Sequence, residues 1–387
     1  MATEKILNRD FIITFVAQFA FSSAYYILIP TLPIYLSRSG SAETEIGVLI
    51  GVFSIASLIF RPFVGRALLK IPERKFTIAG SLLFLFTSIA YLVAPPFWPF
   101  MIVRILQGIG LAFFYTATFT LIANISPEAH RGQSLGYFYM ALNTAFALAP
   151  YFGMLLINRF NFTVLFLVCT GLSLCSFLAV IKLRGMDNVL SEPLPTGHQS
   201  LLSSEALPPS IMAFFSNSVW GSLTAFFPLY ALSQGVTNPG LFFGTFAVML
   251  ILGRGLGGKI LDLYSREKVI FPCVIAYSLA MIILSFSKTL PMFLLVAGIW
   301  GIGVAFLFPA LIAHALDLAG PSRGPAMGTF TAASDLGVGL GPVIMGVVLR
   351  YANYQIMFLC LALTGIINLG YFYFFVKNRS GNWLTTP

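Results

Sequence analysis

Apolar residues in this chain run in long, nearly unbroken stretches separated by short polar breaks. Twelve stretches come close to the roughly 20 residues that a helix needs to cross a bilayer core. They are 11–36, 44–66, 76–94, 97–123, 133–157, 162–183, 209–232, 240–262, 269–287, 291–316, 326–350 and 355–376. None has the two-residue alternation of a barrel strand, so each predicts a spanning helix that closes its own backbone hydrogen bonds. Several breaks are very short, such as Ala94-Pro95-Pro96 and Tyr351-Ala352-Asn353-Tyr354. One is long: 184–208 is rich in Ser, Pro, Glu and Gly without apolar periodicity, and reads as a flexible cytoplasmic linker. It separates an N-terminal half, 1–183, from a C-terminal half, 209–387.

Composition excludes most other classes. Of 387 residues, 58% are hydrophobic and 9% charged, against about 25% charged in a soluble domain. Mean hydropathy is +0.90. So few charges cannot cover a soluble surface, which excludes soluble enzymes, nucleic-acid binders and disulfide-built secreted domains. The four cysteines (Cys169, Cys175, Cys273, Cys360) lie in apolar stretches without zinc-like spacing and read as small apolar fillers. The N-terminus runs into an apolar segment with no small-residue cleavage site, which predicts a retained first span.

The net charge of +9 acquires meaning from its placement. With the N-terminus inside, inner ends and loops hold fifteen of the 22 Lys and Arg; the outer loops hold four, and Arg61, Arg104 and Arg254 lie within spans. The bias predicts both termini in the cytoplasm.

The two halves repeat. Gly51-Val-Phe-Ser-Ile-Ala-Ser-Leu-Ile-Phe-Arg61 resembles Gly244-Thr-Phe-Ala-Val-Met-Leu-Ile-Leu-Gly-Arg254, 193 residues on (254 − 61). Gly108-Ile-Gly-Leu-Ala-Phe113 matches Gly301-Ile-Gly-Val-Ala-Phe306 at the same offset. Ala149-Pro150 matches Gly341-Pro342, and Pro33-Ile-Tyr35 matches Pro228-Leu-Tyr230. The expected fold is therefore an all-α integral membrane protein, with twelve transmembrane helices in two pseudo-symmetric six-helix bundles. Such six-plus-six repeats build carriers that rock about a central ligand.

With these motifs the whole chain resembles the major facilitator superfamily, and within it bacterial small-molecule efflux members. The family motif after the second span, Gly-x-x-x-Asp-Arg-x-Gly-Arg-Arg, has a first copy at Gly65-Arg-Ala-Leu-Leu69-Lys70-Ile-Pro72-Glu73-Arg74-Lys75, with Leu69 in place of Asp. The second copy, Gly258-Lys-Ile-Leu-Asp262, keeps the acid. Arg104-Ile-Leu-Gln107-Gly108-Ile-Gly110 matches the fourth-span motif. The fifth-span antiporter motif is degenerate at Ala149-Pro150-Tyr-Phe-Gly153 and better kept in the eleventh span at Gly337-Val-Gly-Leu-Gly341-Pro342.

Charged and strongly polar side chains inside spans are costly, and each is a functional candidate by default. They are Gln18, Arg61, Arg104, Gln107, Asn143, Asn217, Arg254, His314 and Asp335. Arg104 would bind an anionic group or tune a proton carrier; the competing reading is that it snorkels or pairs with carbonyls. Asp335 would gate or carry the coupling proton, a role also open to His314. Asp335 is the repeat mate of Asn143, and Arg61 of Arg254. The resemblance implies that the second span faces the eleventh and the fifth the eighth, hence Arg61–Asp335 and Arg254–Asn143 as gating pairs, against Arg residues that cap carbonyls in their own half. It also implies a cavity lined by spans one, four, seven and ten. Those spans offer Tyr25, Tyr26, Phe113, Phe114, Tyr115, Asn217, Trp220, Phe226, Trp300, Phe306 and Phe308, with Gln18 and Gln107 in the two spans where many family antiporters place an acid. An aromatic pocket suits an apolar or amphipathic ligand, although most aromatics in such a chain merely pack or face lipid. The glycine clusters follow no strand and read as close helix contacts, not nucleotide loops.

The expected function is secondary active export of small amphipathic molecules by proton antiport with alternating access. The expected setting is a bacterial inner membrane, with a monomer working on a small-molecule substrate and protons, and with no cofactor, metal or nucleic acid. The alternatives are a sugar or metabolite carrier, by symport or facilitated diffusion, and a membrane receptor without transport. A membrane enzyme would need clustered catalytic residues, which the scattered His130, His198 and His314 do not supply.

Overall fold

In a computed structural model the protein is described over residues 8–68, 70–95, 97–126, 131–183, 203–319 and 323–376, without the side chains of 131–133, 255–263 and 323–324. Twelve α-helices follow in order: α1 Arg9–Arg38, α2 Glu43–Ala67, α3 Glu73–Ala90, α4 Trp98–Ile125, α5 Arg131–Arg159, α6 Phe162–Ile181, α7 Leu207–Ser233, α8 Gly240–Leu263, α9 Arg266–Phe286, α10 Leu290–Ala319, α11 Arg323–Tyr351 and α12 Tyr354–Tyr371. A single π-helical turn, Phe372–Val376, extends α12. No strand occurs among the described residues.

Helix ends fall within a few residues of the expected spans. The third stops at Ala90 because the chain turns before Pro95, a residue without a backbone N–H to continue the ladder. Asn8, Asn161 and Asn353 open α1, α6 and α12, their side chains accepting from Phe11, Val164 and Ile356 N–H groups at 2.8, 2.9 and 3.0 Å. Nine helices are long and apolar enough among the described residues to cross a bilayer. Of the other three, α3 starts with Glu73, Arg74 and Lys75, α7 carries several Ser and an Asn, and the described apolar part of α8 is Gly240–Arg254.

The helices cluster in two compact units. One comprises described residues of 1–41 and 52–196, the other those of 42–51 and 197–387. The first turns of α2 thus belong with the second unit, where Gly47 and Gly51 meet backbone of α11 at Pro342 and Gly339. The expected linker lies outside the described residues from 184 to 202; from Ser203 the chain is described, and α7 starts at Leu207.

The internal repeat holds at the level of single contacts. In the first unit a side chain on Gly110 would press on the Gly80 carbonyl at 3.2 Å; in the second, Gly303 would press on the Cys273 carbonyl at 3.3 Å. Both residues of the second pair lie 193 positions after the first (303 − 110 and 273 − 80). Gly108 abuts the Phe53 carbonyl, and Gly301 abuts that of Phe246, again at 193 (246 − 53). An aromatic box also recurs. Tyr35 packs with Phe100, Phe162 and Phe166 at 5.7, 5.2 and 5.2 Å between ring centroids. Tyr230 packs with Phe293, Tyr354 and Phe358 at 5.7, 5.4 and 5.0 Å. Each box ties the end of α1 or α7 to two other helices of its unit, and each aromatic pair contributes about 0.5–1.5 kcal/mol beyond its buried area.

Chemistry differs where position does not. Asn124 donates to Glu73 at 2.6 Å between α4 and α3, and at the repeat-related places Arg266 and Asp317 form an ion pair at 3.5 Å between α9 and α10. Arg9 and Arg74 donate at 3.1 Å to the Lys182 and Ile181 carbonyls, which end α6 without intrahelical partners.

Candidate functional site

The first unit builds its site around Phe53. Gly108 lets α4 approach α2 so closely that a Cβ there would strike the Phe53 carbonyl. The Phe53 ring is then held beside Arg104, one turn earlier on α4, whose guanidinium carbon lies 4.4 Å from the ring centre. Arg104 Nη1 donates to Gln107 Oε1 at 2.7 Å, and the Tyr91 hydroxyl donates to the same oxygen at 2.5 Å. Arg104 is 4% exposed and Gln107 fully buried. A charge withdrawn from water this far needs such partners: charge-assisted hydrogen bonds and a ring face offset part of its desolvation. Arg104 therefore does not snorkel; it is held inside the unit.

Tyr25 stacks on the same Phe53 ring, centroids 5.2 Å apart and planes 16° from parallel. Beside it runs a polar strip on one face of α1, with Gln18, Ser22 and Tyr26 at four-residue spacing. Gln18 Nε2 donates to Ser22 Oγ at 2.9 Å, and Ser22 Oγ is 3.0 Å from the Tyr115 hydroxyl of α4. Tyr26 hydrogen-bonds that hydroxyl too, and Arg61 lies within its electrostatic reach. Thr118 contacts Gln18 Oε1 at 3.2 Å. Gln18, Ser22 and Thr118 are fully buried, whereas Tyr25, Tyr26 and Tyr115 are only half-buried. Phe114 is fully buried and stacks on Phe21 at 4.0 Å, so it packs inside the unit.

The second unit repeats the frame with other groups. Phe246, the mate of Phe53, is stacked by Trp220 at 5.4 Å and met by Trp300 at 4.3 Å. Trp220 stands where Tyr25 does in the first unit (220 − 25, matching the 195 of Tyr230 and Tyr35) and Trp300 where Gln107 does. The repeat mate of Arg104 is Ala297. An ion on one phenylalanine is thus answered by an indole on the other. Asn217 donates to the Ala213 carbonyl of its own helix at 2.9 Å. Phe226 and Trp300 are buried, while Trp220, Phe306 and Phe308 are half-buried.

The remaining charged candidates do not all gather. His314, 4% exposed, has Nδ1 4.0 Å from Oε1 of the buried Glu267, next to the Arg266–Asp317 pair. Arg61, Phe113 and Asn143 are half-buried in the first unit; Asp335 is half-buried and Arg254 exposed in the second. The side chain of Asp262 lies outside the described residues, as do Leu69, His130 and His198. Among the described residues no three His, Cys, Asp or Glu stand together in a way that could hold a metal. The residues missed from the sequence are Phe53, Tyr91, Ser22, Thr118 and Glu267. The signal for Phe53 was present, since it aligns with Phe246 inside the repeated Gly51 and Gly244 segments.

Known proteins share this architecture. The family model described as Major Facilitator Superfamily matches residues 14–261 and 236–385. The quinolone resistance protein NorA of Staphylococcus aureus is 22% identical over 362 residues, covering 88% of this chain and 90% of that protein. The staphylopine export protein of Staphylococcus aureus is 21% identical over 374 residues, covering 92% and 94%. The crystal structure of the nucleoside transporter NupG superposes with a TM-score of 0.78 at 14% identity, over 95% of this chain and 98% of that one.

Proposed function

The chain belongs to the major facilitator superfamily, and on that premise we propose that it exports small amphipathic molecules by proton antiport, in alternating access. It is a multi-pass membrane transporter with a small-molecule substrate and a lipid bilayer around it. Export is carried by one observation: relatives named for drug resistance or export align over nearly their whole length. The amphipathic ligand is supported by the half-buried aromatics Tyr25, Tyr26, Tyr115 and Trp220, whose rings offer apolar and π surface with hydroxyls nearby.

In this proposal Tyr25, Tyr26, Tyr115, Trp220 and Phe306 contact substrate. Gln18, Gln107, Phe114, Asn217 and Trp300 stand close behind. Arg61, Asp335, Arg254, Asn143, Asp262 and His314 gate the cycle or handle the proton, and Arg104 holds the frame of the first unit. The setting is a bacterial inner membrane with both termini in the cytoplasm, and the working unit is a monomer whose halves are 1–183 and 209–387, joined by 184–208. The half-buried phenols of Tyr26 and Tyr115 favour a second reading, a carrier of hydroxyl-rich metabolites such as sugars.

A thermal-shift screen of the purified protein separates the two. Stabilisation by lipophilic aromatic compounds, followed by counterflow of the hits, supports the exporter. Stabilisation by sugars or nucleosides alone supports the metabolite carrier.

A further inference from the structure

We infer that the Tyr115 and Tyr26 hydroxyls form a hydrogen-bonding subsite that selects, among aromatic ligands, those bearing an acceptor such as a carbonyl oxygen. The inference rests on the transport reading above and concerns one face of the first unit.

Three observations carry it. First, the two phenols are half-buried while the groups behind them are sealed: Gln18, Ser22 and Thr118 are fully buried. The tyrosine side chains are partly open and their supports are sealed. Second, the phenolic oxygen of Tyr115 is held by Ser22 at 3.0 Å and by Tyr26, and Ser22 is held in turn by Gln18 at 2.9 Å. A ligand thus meets hydroxyls already placed, without the entropy of ordering them. A phenol donates a hydrogen bond more readily than it accepts one, which favours an electron-rich partner. Third, the neighbouring Tyr25, stacked on Phe53 at 5.2 Å, supplies a ring face for the aromatic body of such a ligand.

The strip belongs to the first unit alone. At the related places the second unit has Ala213 for Gln18, Asn217 for Ser22, Gly221 for Tyr26 and Phe308 for Tyr115. Asn217 is engaged with its own helix. What the repeat keeps is the aromatic frame; what only the first unit adds is a row of hydroxyls, so selectivity by hydrogen bonding is assigned there.

The test uses two fluorescent probes: the naphthyl ketone prodan and its propyl analogue, in which a methylene replaces the carbonyl. Binding to the full-length protein in nanodiscs is followed by fluorescence. The wild type is expected to favour the ketone by about tenfold, the equivalent of one buried hydrogen bond. Tyr115→Phe and Ser22→Ala should each bring that ratio close to one and leave the Kd of the propyl analogue unchanged. That unchanged Kd, with monodisperse elution, shows that the variants are folded. A wild-type ratio near one with both probes bound, or a ketone preference surviving in Tyr115→Phe, overturns the subsite and leaves the exporter reading standing. Binding of neither probe overturns both.

Discussion

The guanidinium carbon of Arg104 stands 4.4 Å from the centre of the Phe53 ring. The cation is at once hydrogen-bonded to Gln107, which also receives the Tyr91 hydroxyl. One buried ion therefore links α2, α4 and the turn after α3. In the second unit Ala297 stands at the place of Arg104, and the indole of Trp300, at the place of Gln107, lies 4.3 Å from Phe246. A core built twice has been made charged on one side and aromatic on the other.

If the ring supports the ion, the two are energetically coupled. Arg104→Met and Phe53→Leu should each lower the thermal stability of the detergent-solubilised protein. The double variant should be less damaged than the sum, with a coupling of about 0.5–2 kcal/mol. Additive losses would show that the ring is only a neighbour.

Glycines should divide by what lies in front of them. A Cβ on Gly301 would meet Met249 Cβ and the Phe246 carbonyl at 2.9 Å, whereas Gly171 faces nothing within 4 Å. Gly301→Ala is expected to cost about 1–3 kcal/mol through overpacking. Gly171→Ala should be neutral or gain up to about 1 kcal/mol from helix propensity. Unfolding midpoints of the two variants, measured side by side, decide the matter.

Arg61 and Asp335 are expected to act as a pair in transport. Arg61→Ala and Asp335→Ala should each slow substrate flux, and the double variant should be no slower than the worse single one. Exchange of the charges, by Arg61→Asp with Asp335→Arg, should restore part of the flux. Rates that fall multiplicatively, with no recovery on exchange, would assign the two residues separate roles.

Much of this was legible in the chain. Nine of the helices follow from apolar length alone among the described residues, because a bilayer leaves few alternatives to a self-bonded helix. The repeat was legible through Gly108 and Gly301, since backbone contact tolerates only glycine and its spacing survives when other residues change. The site was less so. Phe53 is one of 39 phenylalanines, and no periodicity tells a ring beneath a cation from a ring in lipid. Tyr91 lies just past the end of α3, in a turn that hydropathy merges with the span, so its hydroxyl on Gln107 was invisible. Ser22 and Thr118 look like ordinary small helix residues until α1 and α4 are set side by side.

Transport in proteoliposomes tests the central claim most directly. Vesicles carrying the purified protein are given ethidium, a permanently charged amphipathic dye that pH partition cannot trap, with or without an acidic lumen. Antiport predicts that dye accumulates against its gradient only when the lumen is more acidic than the outside, and that nigericin, by collapsing the pH difference, abolishes accumulation. Equal dye entry with and without the pH difference, stopping at equilibrium, would contradict it.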